Sequence, residues 1–224
     1  GGAPELSPDG RYAVFARDGQ IFRASTTRPA ATAIDTAGVP FIKAWGRQGN
    51  PQWSPDGSKL AFVSTRDNHA FIGVYDMKSR RVDFIAPSTD IDGSPSWSPD
   101  GKLVAYAAGN SARMRIFIRP VGGGRTIPLS DDSTAVENVP RWSSDDSRLL
   151  VLFKGGVSVA PALGGASRAV VAPSSTSRVA SANWSPPDGA EIAFVRGDSL
   201  LVALADGGPA RVLAHVTDLR SCHW

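Results

Sequence analysis

Apolar residues in this chain occur in short runs, and each run is bounded by residues that favour turns. Lys59–Ser64 is largely apolar, Phe71–Asp76 follows after a polar loop, and Val82–Ala86 alternates between apolar and polar positions. Runs of this length and composition are typical of β-strands. Together with the short strand that ends in Pro51–Trp53, they predict a unit of four strands within residues 50–88. No stretch has the apolar period of a helix, so we expect almost no helix.

The same succession of strands recurs in four further units. The predicted strands are Arg11–Ala16, Gln20–Ala24 and Ala31–Asp35 in the first unit, Leu103–Ala107, Met114–Arg119 and Thr126–Leu129 in the third, Leu149–Phe153, Gly156–Ala160 and Arg168–Val171 in the fourth, and Glu191–Val195, Ser199–Ala203 and Ala210–His215 in the fifth.

A five-residue phrase, Trp-Ser-Pro-Asp-Gly, marks these units. It is intact at Trp53–Gly57 and Trp97–Gly101, and modified copies begin at Leu6, Trp142 and Trp184. Counted from these positions to the final Trp224, the copies are 40 to 47 residues apart. A period in this range, with four short strands in each period, is the signature of a β-propeller in which each repeat is one blade.

We therefore predict an all-β protein, a β-propeller of four-stranded blades. The five predicted blades span approximately residues 1–38, 39–88, 89–132, 133–174 and 175–216, and residues 217–224 resemble the first strand of a sixth. A closed ring normally has four to eight complete blades. Five blades and one further strand thus indicate part of a propeller of six to eight blades.

The repeated phrase predicts a tight turn, because Pro presets φ, Asp caps the backbone and Gly adopts a positive φ. The Trp before the turn is expected to wedge between adjacent blades and to bury about 150–250 Å²; the alternative is a ring of exposed aromatic side chains for a carbohydrate. The predicted structural residues of the repeat are Leu6, Trp53, Trp97, Trp142, Trp184, Asp9, Asp56, Asp100, Gly10, Gly57 and Gly101.

Composition and charge narrow the classes of function. The 224 residues are 42% apolar and 20% charged, which is ordinary for a globular protein. The net charge of +3 comes mostly from scattered Arg residues and does not indicate nucleic-acid binding. The apolar runs are too short for a membrane span. No signal peptide is visible, as in a mature secreted protein or an excised fragment, and we favour a periplasmic or secreted location over a cytoplasmic one.

The candidate metal and disulfide chemistry is sparse. Cys222 is the single cysteine, which excludes an intrachain disulfide, and we interpret it as a small core residue. Cys222 and His223 fall short of the four ligands of a zinc site. Asp90 and Asp92 lack the ligand pattern of a calcium loop. We predict no metal and no cofactor.

The phrase and the strand that follows it, as in Trp53–Ser64, resemble the WD-like propeller repeat of the TolB type. Repeats of this type also form the N-terminal domain of prolyl-oligopeptidase and dipeptidyl-peptidase-IV-like serine peptidases and of some amidohydrolases. Trp53–Ser64, Asp67–Tyr75 and Ala86–Trp97 look closest to the bacterial peptidase group. The resemblance implies a propeller that caps a separate α/β-hydrolase domain and filters peptides on their way to its catalytic serine.

No catalytic residues are predicted in this chain. It has no Gly-x-Ser-x-Gly elbow, and we expect no Ser and Asp near His69, His215 or His223. Gly197–Leu200 spells the Gly-Asp-Ser-Leu signature of a lipase-like family, but no Asp-x-x-His follows, and we interpret it as a coincidence. The paired glutamates that grip a substrate amino terminus in dipeptidyl peptidases are also absent, since the Glu residues are 5, 137 and 191.

The candidate binding residues come from the topology of a blade. The loops between strands two and three are expected on the same face as the linkers between blades, opposite the Ser-Pro-Asp-Gly turns. Loops that escape the constraint of a repeat are where binding residues tend to lie; the alternative is ordinary solvated loops. The residues on this face that depart most from the repeat are Arg66, Asp67, Asn68, His69, Asp90 and Asp92.

Three functional hypotheses follow from these observations. The first is the non-catalytic propeller of a serine-peptidase-like protein, which gates substrate access or docks a hydrolase domain. The second is a TolB-like scaffold that binds proteins and carries no enzyme, and the third is the propeller of an amidohydrolase. The expected partner is a peptide substrate or a protein domain, with no nucleic acid.

Overall fold

The computed structural model describes residues 4–26, 39–85, 87–110, 112–130, 137–215 and 222. Within these residues every regular element is a strand, and the strands form five four-stranded sheets with antiparallel pairing. The all-β, four-stranded repeat predicted from the sequence is therefore confirmed. The predicted strand Ala31–Asp35 and all of the predicted sixth-blade strand except Cys222 lie outside the described residues.

The twenty strands follow the order of the repeats. The first sheet contains β1 (Glu5–Leu6), β2 (Tyr12–Arg17), β3 (Gln20–Ser25) and β4 (Val39–Pro40). The second contains β5 (Arg47–Trp53), β6 (Lys59–Thr65), β7 (Ala70–Asp76) and β8 (Val82–Ile85). The third contains β9 (Gly93–Trp97), β10 (Leu103–Asn110), β11 (Arg113–Pro120) and β12 (Ile127–Pro128). The fourth contains β13 (Glu137–Trp142), β14 (Arg148–Phe153), β15 (Gly156–Pro161) and β16 (Arg168–Val171), and the fifth contains β17 (Val179–Trp184), β18 (Glu191–Arg196), β19 (Ser199–Leu204) and β20 (Arg211–His215).

The chain forms two compact units. Unit 1 comprises Gly1–Ala108 and Arg119–Gly124, and unit 2 comprises Gly109–Ile118 and Arg125–Trp224. The fourth strand of the first sheet, β4, pairs with β3 through Arg23 and Val39. The connection from β3 to β4 is longer than the corresponding connections in the other four sheets. For this reason β4 lies within the range that the sequence predicted for the second blade.

The core of unit 1 lies between the first and second sheets. Its buried side chains are Val14, Ile21, Ile42, Trp53, Leu60, Phe62 and Tyr75. Within the second sheet, Gly73 lies so close to Phe62 that a Cβ on Gly73 would be 2.6 Å from the Phe62 Cζ. Only glycine therefore allows the fully buried Phe62 ring to lie against β7.

The core of unit 2 is built in the same way from the fourth and fifth sheets. Its buried side chains include Leu150, Val157, Val159, Ile192 and Phe194. Cys222 is buried against Ala193, Val195 and Val202, in agreement with its interpretation as a core residue. Burial raises the pKa of the Cys222 thiol, which makes it a poor nucleophile at neutral pH.

Candidate functional site

In the first four repeats, the turn of the repeated phrase is held by one Ser and one Asp side chain. In the second repeat, the Ser54 hydroxyl donates to Asp56 Oδ1 over 2.6 Å and accepts from the Lys59 N–H over 2.9 Å. Asp56 Oδ1 also accepts from the Ser58 N–H over 3.0 Å. The same geometry recurs at Ser98 and Asp100 and at Ser143 and Asp145.

These hydrogen bonds lower the pKa of the turn aspartates, because each bond favours the charged carboxylate. The backbone N–H of Lys102 and then the Ser98 hydroxyl lower the pKa of Asp100 to about 2. The hydroxyls of Ser143 and Ser147 lower the pKa of Asp145 to about 2. The residues that take the positive φ at the end of these turns are Gly10, Gly57 and Gly101, at +68°, +69° and +70°, and Asp146 in the fourth repeat, at +61°.

The repeated Trp side chains link neighbouring repeats within each unit. Trp53, Trp97 and Trp142 are only 7–8% exposed, which rules out a ring of exposed aromatic side chains at these positions. Trp97 Nε1 donates to the Gln52 carbonyl over 2.9 Å, and in unit 2 Trp184 Nε1 donates to the Arg141 carbonyl over 2.9 Å. Each acceptor is the residue just before the Trp of the preceding repeat.

Leu6 does not share this packing. It was included among the structural residues of the repeat, but it is 64% exposed. Its neighbour Glu5 makes the contact to the second repeat instead, since the Glu5 carboxylate accepts from Trp53 N–H over 3.1 Å and from Gln52 Nε2 over 2.6 Å. Trp53 Nε1 is buried and has no hydrogen-bond partner among the described residues.

A second recurring contact, which the sequence analysis did not predict, is made by the residue five positions before the Trp. The side chains of Gln48 and Glu137 accept hydrogen bonds from the backbone N–H of Ile21 (3.4 Å) and Ile116 (3.1 Å), each on the third strand of the preceding repeat. The signal in the sequence is a polar residue five positions before the Trp in three successive repeats: Gln48, Asp92 and Glu137. The fifth repeat has Val179 at this position.

Asp92, one of the predicted binding residues, is the third member of this set. It is 2% exposed, and its carboxylate accepts from the Ile72 backbone N–H while Oδ2 has no partner among the described residues. Burial, and secondarily the charge of Asp90, raise the pKa of Asp92 to about 7. Asp92, whose side chain is shorter than that of Gln or Glu, thus makes the same contact between repeats, and its Oδ2 has no partner among the described residues.

The structure brings the other predicted binding residues together around Ala70. The Ala70 N–H donates to the Asp90 carbonyl over 3.1 Å, and the Asp92 N–H donates to the Ala70 carbonyl over 3.0 Å. Residues 66–69 and 90–92 are consequently neighbours. Hairpin 66–69 has four residues, whereas the equivalent hairpins of the first, fourth and fifth sheets have two.

An aromatic pair lies beneath this hairpin. The Arg66 guanidinium carbon lies 5.8 Å from the ring centroids of both Phe71 and Phe84. The His69 ring lies 4.7 Å from Phe71, and His69 Nδ1 donates to Asn68 Oδ1 over 2.7 Å. Arg66 and His69 therefore pack against these rings, whereas Asp67, Asn68 and Asp90 are exposed.

A cavity of about 500 Å³ adjoins the hairpin in unit 1. Its lining includes Arg17 and Asp18 from the first repeat and Arg47, Asn50 and Thr65 from the second. Arg17 is stacked over the Phe22 ring at 4.2 Å. Sequence reasoning missed this cavity because its residues come from two repeats. We call residues 66–69, Asp90 and the lining of this cavity the loop face of unit 1.

One histidine lies beside a serine. Ser199 Oγ lies 3.0 Å from His215 Nδ1, because Ser199 and His215 are directly opposite each other on β19 and β20. The structure thus places a Ser beside His215. No Asp or Glu among the described residues hydrogen-bonds to His215, so the pair lacks the third group that orients a catalytic histidine.

Metal clusters and membrane-spanning helices are both absent from the described part of the chain. No three His, Cys, Asp or Glu side chains there are placed to share one metal ion. No helix in that part is long and apolar enough to cross a membrane.

Comparison with protein families gives one match over most of the chain. A family model described as the TolB beta propeller domain matches residues 3–160. Comparison with curated protein sequences finds no match.

Three solved structures are similar over nearly the whole chain. A putative TolB from Agrobacterium tumefaciens matches 99% of this chain and 84% of its own, with a TM-score of 0.72 and 18% identity. TolB from Acinetobacter baumannii matches 93% of this chain and 55% of its own, with a TM-score of 0.61 and 17% identity. A prolyl endopeptidase, from a study of two such enzymes, matches 95% of this chain and 35% of its own, with a TM-score of 0.69 and 15% identity. At these identities the likeness shows the fold.

Proposed function

We propose that this chain is a non-catalytic module whose loop face binds an extended segment of a partner protein. The chain belongs to the TolB β-propeller domain family. The observation that carries the proposal is the long hairpin 66–69, which departs from the two-residue hairpins of the first, fourth and fifth sheets and lies beside a cavity of about 500 Å³. A cavity of this size is in the range that holds a ligand or several side chains.

The chemistry of the loop face suits a peptide. Arg17 and Arg47 supply cationic N–H groups, and Asn50 supplies an amide that both donates and accepts. Arg66 lies over the faces of Phe71 and Phe84, so its guanidinium is oriented while its N–H groups are free to donate. Mixed cationic, amide and aromatic groups of this kind recognise backbone carbonyls and acidic side chains together.

The test uses peptides selected against the full chain from a displayed library of random twelve-residue sequences. The affinity of the best peptide is then measured by fluorescence anisotropy for the wild type, Arg47→Gln and Arg66→Gln. Each variant removes a charged donor, and we expect at least about a tenfold loss of affinity.

Lys154→Gln is the matched control, because Lys154 lies in the equivalent hairpin of the fourth sheet. We expect it to bind as the wild type does. If no peptide is selected, or if Lys154→Gln loses as much affinity as Arg66→Gln, the loop face is not the binding surface.

A second candidate function is the propeller of a serine peptidase. It is supported by the similarity to a prolyl endopeptidase over 95% of this chain. The coding sequence that follows Trp224 distinguishes the candidates. A domain with a Gly-x-Ser-x-Gly elbow supports the peptidase, a stop after one more blade supports the scaffold, and a His-x-His motif supports an amidohydrolase.

A further inference from the structure

A second cavity lies in unit 1 at the opposite end of β7 from the loop face. Its volume is about 470 Å³. The lining residues are Arg23, Pro40, Phe41, Lys43, Tyr75, Met77 and Arg80. Three of these residues are cations and none is acidic, which distinguishes this cavity from the one at the loop face, where Asp18 is present.

The three cations have no counter-ion in the described part of the protein. Arg23, Lys43 and Arg80 form no ion pair with any described residue. Asp76 is the acidic residue next to the cavity in sequence, but its carboxylate already accepts from Lys59 Nζ and from the backbone N–H groups of Lys78 and Ser79. Three positive charges around one cavity create a potential that attracts an anion.

Aromatic rings hold one of the cations in place. The Arg23 guanidinium carbon lies 4.5 Å from the Tyr12 ring centroid and 4.8 Å from that of Phe41. Stacking of this kind orients the planar group and leaves its edge free to donate in a forked geometry. Arg23 is thus arranged before any ligand arrives, which lowers the entropic cost of binding.

The remaining wall is apolar and aromatic. Phe41 and Tyr75 meet edge to face, with their ring centroids 5.3 Å apart, and Met77 lies beside them. Tyr75 is buried, and its hydroxyl has no hydrogen-bond partner within the residues that the structure describes. A ligand with a planar ring could therefore pack against the aromatic wall of this cavity, while a negatively charged group on the ligand contacts the three cations.

We propose that this cavity binds a small aromatic ligand that carries a multiply charged oxyanion, with aromatic phosphate monoesters as the chemical class. A phosphate monoester carries a charge close to −2 at neutral pH and presents three acceptor oxygens. These oxygens match the donors of Arg23, Lys43 and Arg80, and the ring matches Phe41, Tyr75 and Met77.

The proposal is tested by isothermal titration of the full chain with phenyl phosphate, inorganic phosphate and phenol. We expect one saturable site for phenyl phosphate, with an affinity at least about tenfold higher than that of either fragment, because both parts of the ligand contact the cavity. The affinity of phenyl phosphate should fall as salt concentration rises.

Lys43→Gln and Arg80→Gln should each lower the affinity for phenyl phosphate by about tenfold, since each substitution removes one charge-assisted contact. Both residues are exposed, so neither change is expected to unfold the protein. Arg81→Gln is the matched control, because it removes a cation from the same turn without touching the cavity lining.

Three results would each overturn the proposal. They are the absence of saturable binding, equal affinity for phenyl phosphate and inorganic phosphate, and a loss in Arg81→Gln as large as that in Arg80→Gln. Because the loop-face peptide is measured separately, failure here leaves the proposed protein-binding function to its own test.

Discussion

The indole Nε1 of Trp97 donates a 2.9 Å hydrogen bond to the backbone carbonyl of Gln52, the residue just before Trp53. Trp184 makes the same contact with the carbonyl before Trp142 in unit 2. A packed aromatic ring and a satisfied carbonyl thus connect successive repeats in each unit. This double role explains the presence of Trp at positions 97 and 184, since Phe would fill the space without donating to the carbonyl.

Trp97→Ala should destabilise the protein by about 3–5 kcal/mol, because it removes a buried aromatic side chain and leaves a cavity. His69→Ala should change the free energy of unfolding by about 0.5 kcal/mol or less, as is usual for loop substitutions away from the core. Urea denaturation of both variants measures the difference. Equal and small shifts would show that the Trp side chain contributes little to packing.

Asp92 should make the stability depend on pH in an unusual direction. Its pKa is raised to about 7 in the folded protein, whereas a carboxyl in an unfolded chain titrates near 3.9. The folded state therefore binds the extra proton, and its contribution to stability is full below about pH 4 and is lost as the pH rises through about 7.

Asp92→Asn should remove this loss, because a neutral amide can still accept from the Ile72 N–H. Relative to the wild type, we expect the variant to gain stability between pH 4 and pH 8, by about 1.4 kcal/mol for each unit by which the pKa is raised. Thermal unfolding across this pH range measures the gain. Parallel pH profiles for the two proteins would contradict the prediction.

Gly101→Ala should destabilise the protein by about 1–2 kcal/mol, because φ at Gly101 is +70° and a side chain disfavours that conformation. The nearest atom to an added Cβ would be Pro55 Cδ at 3.7 Å, so the cost is conformational and not steric. Gly93→Ala is the matched control, since nothing lies within 4 Å of its Cβ position and its φ is not positive. Denaturant melts should show a shift for Gly101→Ala alone.

Gly73→Ala should destabilise the protein by about 1–3 kcal/mol through overpacking, because the new Cβ would meet the Phe62 ring at 2.6 Å. Adding Phe62→Leu should recover part of that loss, since a smaller side chain makes room for the methyl group. A double-mutant cycle measures the coupling. Additive effects would mean that the two positions do not contact each other.

Ser199 should have no catalytic role in spite of its contact with His215. Ser199 lies on β19, an inner strand, and His215 lies on the edge strand β20. No described carboxylate hydrogen-bonds to the histidine. We expect no hydrolysis of p-nitrophenyl acetate above background, and no change in Ser199→Ala. Reproducible hydrolysis that disappears in Ser199→Ala would overturn the interpretation of Gly197–Leu200 as a coincidence.

The family and the repeat could be predicted from the sequence because both depend on local patterns. The resemblance to TolB-type repeats is confirmed by the family match over residues 3–160. The strands Arg168–Val171 and Glu191–Val195 were predicted within one residue of their observed bounds. Turn residues and apolar runs fix such elements through contacts between residues close in the chain.

The candidate site was predicted only in part. The neighbourhood of residues 66–69 and 90–92 followed from the topology of a blade, and the structure brings them together around Ala70. The burial of Asp92 did not follow, because a short acidic side chain in a segment between two strands looks exposed in a sequence. Its position depends on the Ile72 N–H of another strand, twenty residues earlier in the chain.

The sequence by itself determined the all-β class, the four-stranded repeat and the turns, since the period of the Trp phrase and the chemistry of Ser, Pro, Asp and Gly act over a few residues. Only the tertiary structure decided that Leu6 is exposed, that Ser199 meets His215, and that Arg23, Lys43 and Arg80 surround one cavity. Those relationships join residues from different strands or repeats. They depend on how the strands pair and pack, which no local pattern specifies.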